Sequence, residues 1–116
     1  EASSEKQALG HMLDGRVTMV VGSHTHVPTA DARILPKGTG FQTDAGMCGD
    51  YDSIIGGDKG SWLRRFKSRM PVGRVSPPRG LGTACGILVD VNGSNGLAAK
   101  ISPIVQGPYL RESWPK

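Results

Sequence analysis

The sequence predicts an α/β chain, and three observations carry that expectation. An amphipathic helical pattern stops at Asp14-Gly15 and passes through a tight turn into the short apolar run Val17–Val21. Two further pairs of strand-like runs follow, each pair split by a turn rich in Gly, Pro or Asn. The composition, with 17 Gly and 8 Pro in 116 residues and only 37% apolar residues, favours many turns between short elements over a bundle of long helices.

Each element has its own signal. Ser4 and Gln7 have capping-box spacing at the start of the first helix. Ala8, Leu9, Met12 and Leu13 share one face of it at 100° per residue, and His11 falls off that face toward solvent. Gly15 supplies the left-handed stop. Val17–Val21 reads as a strand buried on both faces. Ala32–Leu35 and Gly40–Thr43 read as a strand pair around Pro36-Lys37-Gly38. The stretch 44–52 is a glycine-rich loop with three carboxylates.

A second helix is expected over about Asp58–Met70, with Asp58 as cap. Its apolar stripe of Trp62, Leu63, Phe66 and Met70 is read as core packing. Arg64, Arg65, Lys67 and Arg69 are read as a solvated face, with membrane or nucleic-acid contact as the alternative. Pro71–Gly82 reads as a loop. Ala84–Val91 and Leu97–Val105 read as a hairpin around the Asn92–Gly96 turn. The tail from Gly107 has no periodicity.

No apolar run approaches the roughly 18 to 20 residues of a membrane span, so no membrane contact through a span is expected. The chain opens on Glu1 instead of Met, which predicts a processed or excised chain. Cys48 and Cys85 lie in different elements without Cys-x-x-Cys spacing; reduced thiols and a cytoplasmic location are the expected reading. A formal charge of +4 suits anionic partners such as phosphate esters or nucleic acid, and is also ordinary for a globular domain.

Chemistry concentrates at Gly22-Ser23-His24-Thr25-His26, at the C-terminal end of the first strand, where layered α/β folds build sites. In extended backbone, residues two apart point to one side with Cα atoms about 6.6 Å apart. Two neutral imidazoles so placed can share one metal, or take one each of a pair about 3.5–4 Å apart. Spacing alone leaves ordinary exposed or core histidines as the competing reading. Any further ligands must be carboxylates of this chain or lie outside it. Asp44, Asp50 and Asp52 are weighed as ligands and read instead as turn residues bonding nearby amides. Arg16, Arg33 and Arg79 could meet phosphate, and a surface role is the expected one.

The runs Glu1–Lys6, Leu13–Val17, Val21-Gly-Ser-His-Thr-His-Val27 and Thr29-Ala-Asp31 resemble the YmdB-type metallophosphoesterases of the calcineurin-like superfamily. The likeness continues through Arg33–Pro36, Thr43-Asp44, Gly46-Met47, Tyr51–Gly56 and Arg64-Arg65-Phe66. It covers roughly residues 1 to 72 well and the hairpin around Gly86–Asp90 more loosely.

The resemblance implies the C-terminal part of a sandwich of two mixed sheets flanked by helices, an αββα fold. Residues 1–116 would then be the C-terminal portion of a single domain whose N-terminal portion is absent. It implies His24 and His26 as metal ligands of a dinuclear centre of iron or manganese. It further implies hydrolysis of phosphodiesters, characteristically 2′,3′-cyclic nucleotides, by a metal-bound hydroxide. The family's other ligands and its proton donor sit upstream, at positions this chain does not have, so no general acid is named. The isolated chain is expected to be inactive, with the missing half of the domain as its partner. A non-catalytic fragment or paralogue binding phosphate or nucleic acid through its basic surface is the alternative, and homo-oligomerisation is left open.

Overall fold

The computed structural model describes residues 2–69 and 73–115. Its elements are helix α1 (Ser3–Leu13), strands β1 (Met19–Val21), β2 (Arg33–Ile34) and β3 (Gly40–Gln42), helix α2 (Lys59–Ser68), and strands β4 (Ala84–Val91) and β5 (Ala98–Gln106). The predicted α/β class holds. There are two small sheets: a mixed one of order β1-β3-β2, and the antiparallel β4-β5 hairpin.

The helix α1 begins one residue before the predicted cap. Ala2 is the N-cap in extended conformation, and the Glu5 carboxylate accepts the Ala2 N–H at 3.1 Å. The Ser4–Gln7 pairing is therefore wrong by two residues. The apolar face is also displaced: Met12 is 69% exposed, and the buried position is Gly10. Gly10 is a flat spot under the Phe41 ring. A Cβ there would lie 2.6 Å from the ring edge. His11 is exposed as expected.

The turn after α1 is latched by Asp14 and Thr39. Asp14 is buried, and its carboxylate accepts the N–H of Lys37 at 2.9 Å and of Thr39 at 3.2 Å. The Thr39 hydroxyl accepts from Gly15 N at 2.8 Å and donates to the Val17 carbonyl at 2.7 Å. Both ends of the β2–β3 turn are thereby fixed to the end of α1, and the buried polar groups satisfy one another.

Strand β1 runs parallel to β3, with Met19, Val20 and Val21 opposite Gly40, Phe41 and Gln42. The pairing continues through Gly22 N–H to the Gln42 carbonyl at 3.1 Å and Ala45 N–H to the Gly22 carbonyl at 3.0 Å. Parallel strands run on into their loops at the same end of the sheet, so residues 22–26 and 43–47 meet. β1 is not buried on both faces, however. It is three residues long, half-buried at Met19 and Val20 and exposed at Val21. A short apolar β-branched run specifies extended backbone, and not what covers it.

Strands β2 and β3 form the expected antiparallel pair, shortened to Arg33–Ile34 and Gly40–Gln42. The hairpin is close to its predicted limits, with Ala84 opposite Gln106 and a register shift at Asp90/Val91 before the turn. The small core lies where the two sheets meet α1 and comprises Leu35, Phe41, Ala98 and Val105. The tail is not free: Ser113 exchanges both backbone hydrogen bonds with Val105 at 2.8 and 2.9 Å.

The helix α2 falls inside its predicted span, and the Asp58 carboxylate caps it by accepting Ser61 N–H at 2.9 Å. Its stripe does not pack into the core, contrary to expectation. Leu63 is 47% and Phe66 71% exposed; Trp62 is half-buried and stacks on Phe66 at 6.0 Å between centroids. Periodicity marks which face of a helix is apolar and not whether another element lies against it. Met70, the last residue of the stripe, lies outside the described residues, as do Pro71 and Val72 of the loop that follows.

Candidate metal centre

The five residues after β1 leave the sheet by sharp bends. His24 has φ 122° and His26 φ 67°, both outside the conformations ordinary for a non-glycine residue. The extended backbone expected for His-Thr-His is therefore absent. The histidines are placed by bonds from other segments that hold this strained path, an arrangement that concentrates at functional sites.

The first bond set comes from Asp44. One of its oxygens accepts the Thr25 N–H at 2.7 Å and the Thr25 hydroxyl at 2.8 Å, and the other accepts Gly46 N–H at 2.9 Å. Lys6 on α1 lies 4.0 Å from the same carboxylate and donates to the Ser23 carbonyl at 2.6 Å. Burial pushes the Asp44 carboxyl up; the bonds from Gly46 and Thr25 and the charge of Lys6 outweigh it, and the group is held below the usual carboxylate range. One ionised side chain thus organises both loops at the end of the mixed sheet.

The second bond reaches His26 from the segment before α2. Its Nδ1 donates to the Ile55 carbonyl at 2.7 Å. A carbonyl only accepts, so Nδ1 carries the hydrogen of this bond and Nε2 is the ring nitrogen left to face a metal. Ile55 itself has φ 47°, so both partners are held in left-handed backbone.

Asp31 provides a further brace. Its carboxylate accepts from Thr29 Oγ1 at 2.6 Å and from the Thr43 N–H at 3.1 Å, and also bonds the Thr43 hydroxyl. Burial raises its pKa, and the bonds from Thr29 and Thr43 bring it below the ordinary value. Gly22 is required at the branch point, because a Cβ there would sit 2.1 Å from the Thr43 carbonyl oxygen.

The result is a cleft of about 330 Å³ lined by Ser23, His24, His26, Asp44, Gly46 and Met47. The two predicted histidines share it. Asp50 and Asp52 do not: Asp50 accepts the Asp52 N–H at 2.8 Å, and Asp52 pairs with Lys59 at 2.7 Å. Arg33 pairs with Asp31 at 3.6 Å and lies over the Phe41 ring, and Arg16 and Arg79 are exposed. Sequence reasoning missed Lys6, Asp31 and the Ile55 carbonyl as positioning groups. Asp44 it placed correctly as a binder of backbone amides, without its partner Thr25.

The two imidazoles are suited to a metal, and they are not a full ligand set. Among the described residues no group of three or more His, Cys, Asp or Glu side chains is arranged to hold a metal ion. Both cysteines are free: Cys48 Sγ donates to the Cys85 carbonyl at 3.3 Å, and Cys85 Sγ lies 3.3 Å from the Tyr51 hydroxyl. Burial and that thiol push the Tyr51 phenol up to about 12. No helix among the described residues is long and apolar enough to cross a membrane.

Known proteins resemble this chain in sequence and fold. A 2′,3′-cyclic-nucleotide 2′-phosphodiesterase of Bacillus subtilis is 50% identical over 105 residues, which are 90% of this chain and 39% of that protein. Among solved structures, a hypothetical protein from Thermus thermophilus superposes with a TM-score of 0.84 at 47% identity, over 91% of this chain and 41% of its own. A phosphatase from Mycoplasma pneumoniae gives a TM-score of 0.84 at 34% identity, over 91% of this chain and 38% of its own. The chain therefore spans about two fifths of the length of these relatives. Residues 1–104 match the sequence profile of the YmdB-like protein family, and the chain belongs to that family.

Proposed function

We propose that this chain supplies part of a two-metal centre that hydrolyses phosphodiesters, with 2′,3′-cyclic nucleotides as substrates. The observation that carries the reading is the cleft at the end of the mixed sheet, which His24 and His26 both line and where the Ile55 carbonyl orients the His26 ring through Nδ1. His24 and His26 are its metal ligands, with iron or manganese as the metals. When bound, the metals supply charge neutralisation at the phosphoryl oxygens and a nucleophile near neutral pH.

The chain's own residues do the positioning. Asp44 holds Thr25 and Gly46, and so sets the distance between the two loops that carry the cleft. Lys6 ties α1 to the same carboxylate. On this reading the two small sheets are the C-terminal portion of an αββα sandwich. The remaining ligands and the proton donor belong to a preceding portion of the same domain, and residues 1–116 alone are inactive.

The test is hydrolysis of a 2′,3′-cyclic nucleotide by the protein joined to the relatives' preceding portion, in which His24→Ala and His26→Ala each abolish turnover and lower bound metal. Full activity in both variants would exclude the reading. A second reading has support from α2, whose exposed aromatic stripe is flanked by Arg64, Arg65, Lys67 and Arg69 and whose Arg65 lies 5.3 Å over the Trp62 ring. There the chain binds nucleic acid without catalysis. It demands affinity that falls steeply with salt and with Arg64→Ala and Arg65→Ala, and the absence of binding at low salt would remove it.

A further inference from the structure

The two cysteines stand 37 residues apart in sequence, yet they meet behind Gly46, one of the residues that line the metal cleft. A bridge between Gly49 and Thr83 brings them together. Each residue of that bridge donates its N–H to the other's carbonyl, at 3.0 and 2.7 Å. Cys48 lies one residue from the bridge, and Cys85 lies two residues from it in the same direction. Antiparallel spacing, about 5 Å across a pair and 3.4 Å along it, then puts their Cα atoms roughly 6 Å apart. Disulfides span about 4.4–6.8 Å between Cα atoms.

The sulfur of Cys48 lies against Cys85 itself. It accepts the Cys85 N–H at 3.4 Å and donates to the Cys85 carbonyl at 3.3 Å. Across the hairpin Cys85 stands opposite Val105, whose own backbone bonds go to Ser113. A thiol thus serves the outer edge of β4, at the point where a further strand would place its backbone. Cys48 is exposed and Cys85 half-buried, so a reagent in solution meets Cys48 first.

The Cys85 side chain also backs the cleft. A Cβ at Gly46 would lie 2.9 Å from Cys85 Cβ and 3.0 Å from its Sγ. That Sγ is 3.3 Å from the Tyr51 hydroxyl. The hydroxyl in turn accepts the Met47 N–H at 2.8 Å and donates to the Met47 carbonyl at 2.9 Å. Gly46 and Met47 both line the cleft. Turning Cys85 Sγ toward Cys48 removes its contact with Tyr51 and changes what supports these two residues.

We propose that Cys48 and Cys85 are a redox-active thiol pair, closed to a disulfide by exchange with a small disulfide such as oxidised glutathione. Cys48 attacks first, as its thiolate. Its sulfur bonds one glutathione sulfur, the glutathione S–S bond breaks, and one glutathione thiolate leaves. The Cys85 thiolate then attacks the Cys48 sulfur. The protein S–S bond forms, the mixed S–S bond breaks, and the second glutathione leaves. The two departing thiolates take up the two protons that the cysteines release, so two electrons pass from the pair to the oxidant. An accessible thiol beside a resolving one is the usual arrangement of such a pair. The inference does not rest on the phosphodiesterase reading.

The experiment equilibrates the full-length protein, with its preceding portion in place, in anaerobic buffers of reduced and oxidised glutathione. Free thiols are then alkylated, and an unreduced tryptic digest is read by mass spectrometry. A disulfide-linked pair of peptides, 38–59 with 80–100, is expected, and dithiothreitol releases it. The ratio of linked to reduced protein is higher by about tenfold or more in the folded protein than in urea, where the loop between the thiols closes without the fold. Cys85→Ser keeps glutathione on Cys48, and Cys48→Ser gives no linked peptide. Equal ratios with and without urea overturn the proposal. So do a pair still fully alkylated in the most oxidising buffer, and a link from either cysteine to another partner as the main product.

Discussion

One carboxylate oxygen of Asp44 grips Thr25 twice, at the backbone N–H and at the hydroxyl, across 19 residues of sequence. The bond set replaces the hydrogen bonds that a strand would have given residues 24–26. Asp44→Ala leaves two part-buried amides, of Thr25 and Gly46, and the Thr25 hydroxyl without their acceptor. The expected cost is about 2–4 kcal/mol in urea denaturation. In the metal-loaded, longer enzyme it should lower metal affinity about 10- to 100-fold, as loss of a supporting bond does elsewhere.

The backbone at His24 is a second place where function and stability oppose each other. Two variants that both lack the imidazole separate the side chain from the strain. With φ at 122°, His24→Gly should be more stable than His24→Ala by about 1 kcal/mol, since only the alanine retains a Cβ in a disfavoured region. Thermal unfolding of the pair measures it directly; equal midpoints would mean the chain relaxes at this position.

Gly22 has no room for a methyl group. A Cβ would meet the Thr43 carbonyl at 2.1 Å and the Lys6 side chain at 2.8 Å. The carbonyl belongs to the backbone and cannot rotate away as a side chain can. Gly22→Ala is therefore expected to destabilise by about 2–3 kcal/mol, and to broaden the NMR signals of residues 22–26 and 43–46. A stability within error of the parent would contradict the geometry.

Acid should loosen the cleft before the hairpin. Asp31 and Asp44 have pKa values held below the ordinary carboxylate range in the folded chain. Between the folded and unfolded values the unfolded chain binds more protons, so stability falls as pH falls. Their contribution is complete above the unfolded value of about 4 and is lost progressively below it. Urea midpoints measured from pH 6 down to 3 should decline, with a shallower decline in Asp31→Asn.

Much of this was legible in the sequence, and the parts that were not share a cause. The α1 helix, the β2–β3 pair and the hairpin are written in local periodicity and turn residues, and they form within a few residues of their expected limits. His24 and His26 could be singled out from residue type, spacing and the resemblance. The parallel pairing of β1 with β3 has no local signature, because the partners are 21 residues apart. Without that pairing the meeting of residues 22–26 with 43–47 is invisible, and so is the role of Asp44. The left-handed backbone at His24 and His26 runs against the preference of those residue types. The stripes of α1 and α2 failed for another reason: an apolar face is a property of a segment, whereas burial depends on what the rest of the molecule lays upon it.

The order in which the contacts can close also follows from the fold. The hairpin joins residues whose nearest pair, Val91 and Ala98, stands seven apart, and it can zip from its turn. The cleft depends on pairs separated by 19 residues, Thr25 with Asp44, and by 29, His26 with Ile55. Loops of that length close later and gain nothing until both partners arrive. The β1–β3 pairing spans 21 residues, as long a reach as Thr25 with Asp44, so the mixed sheet and the bond that seats the His-Thr-His loop close as one unit, after the hairpin turn.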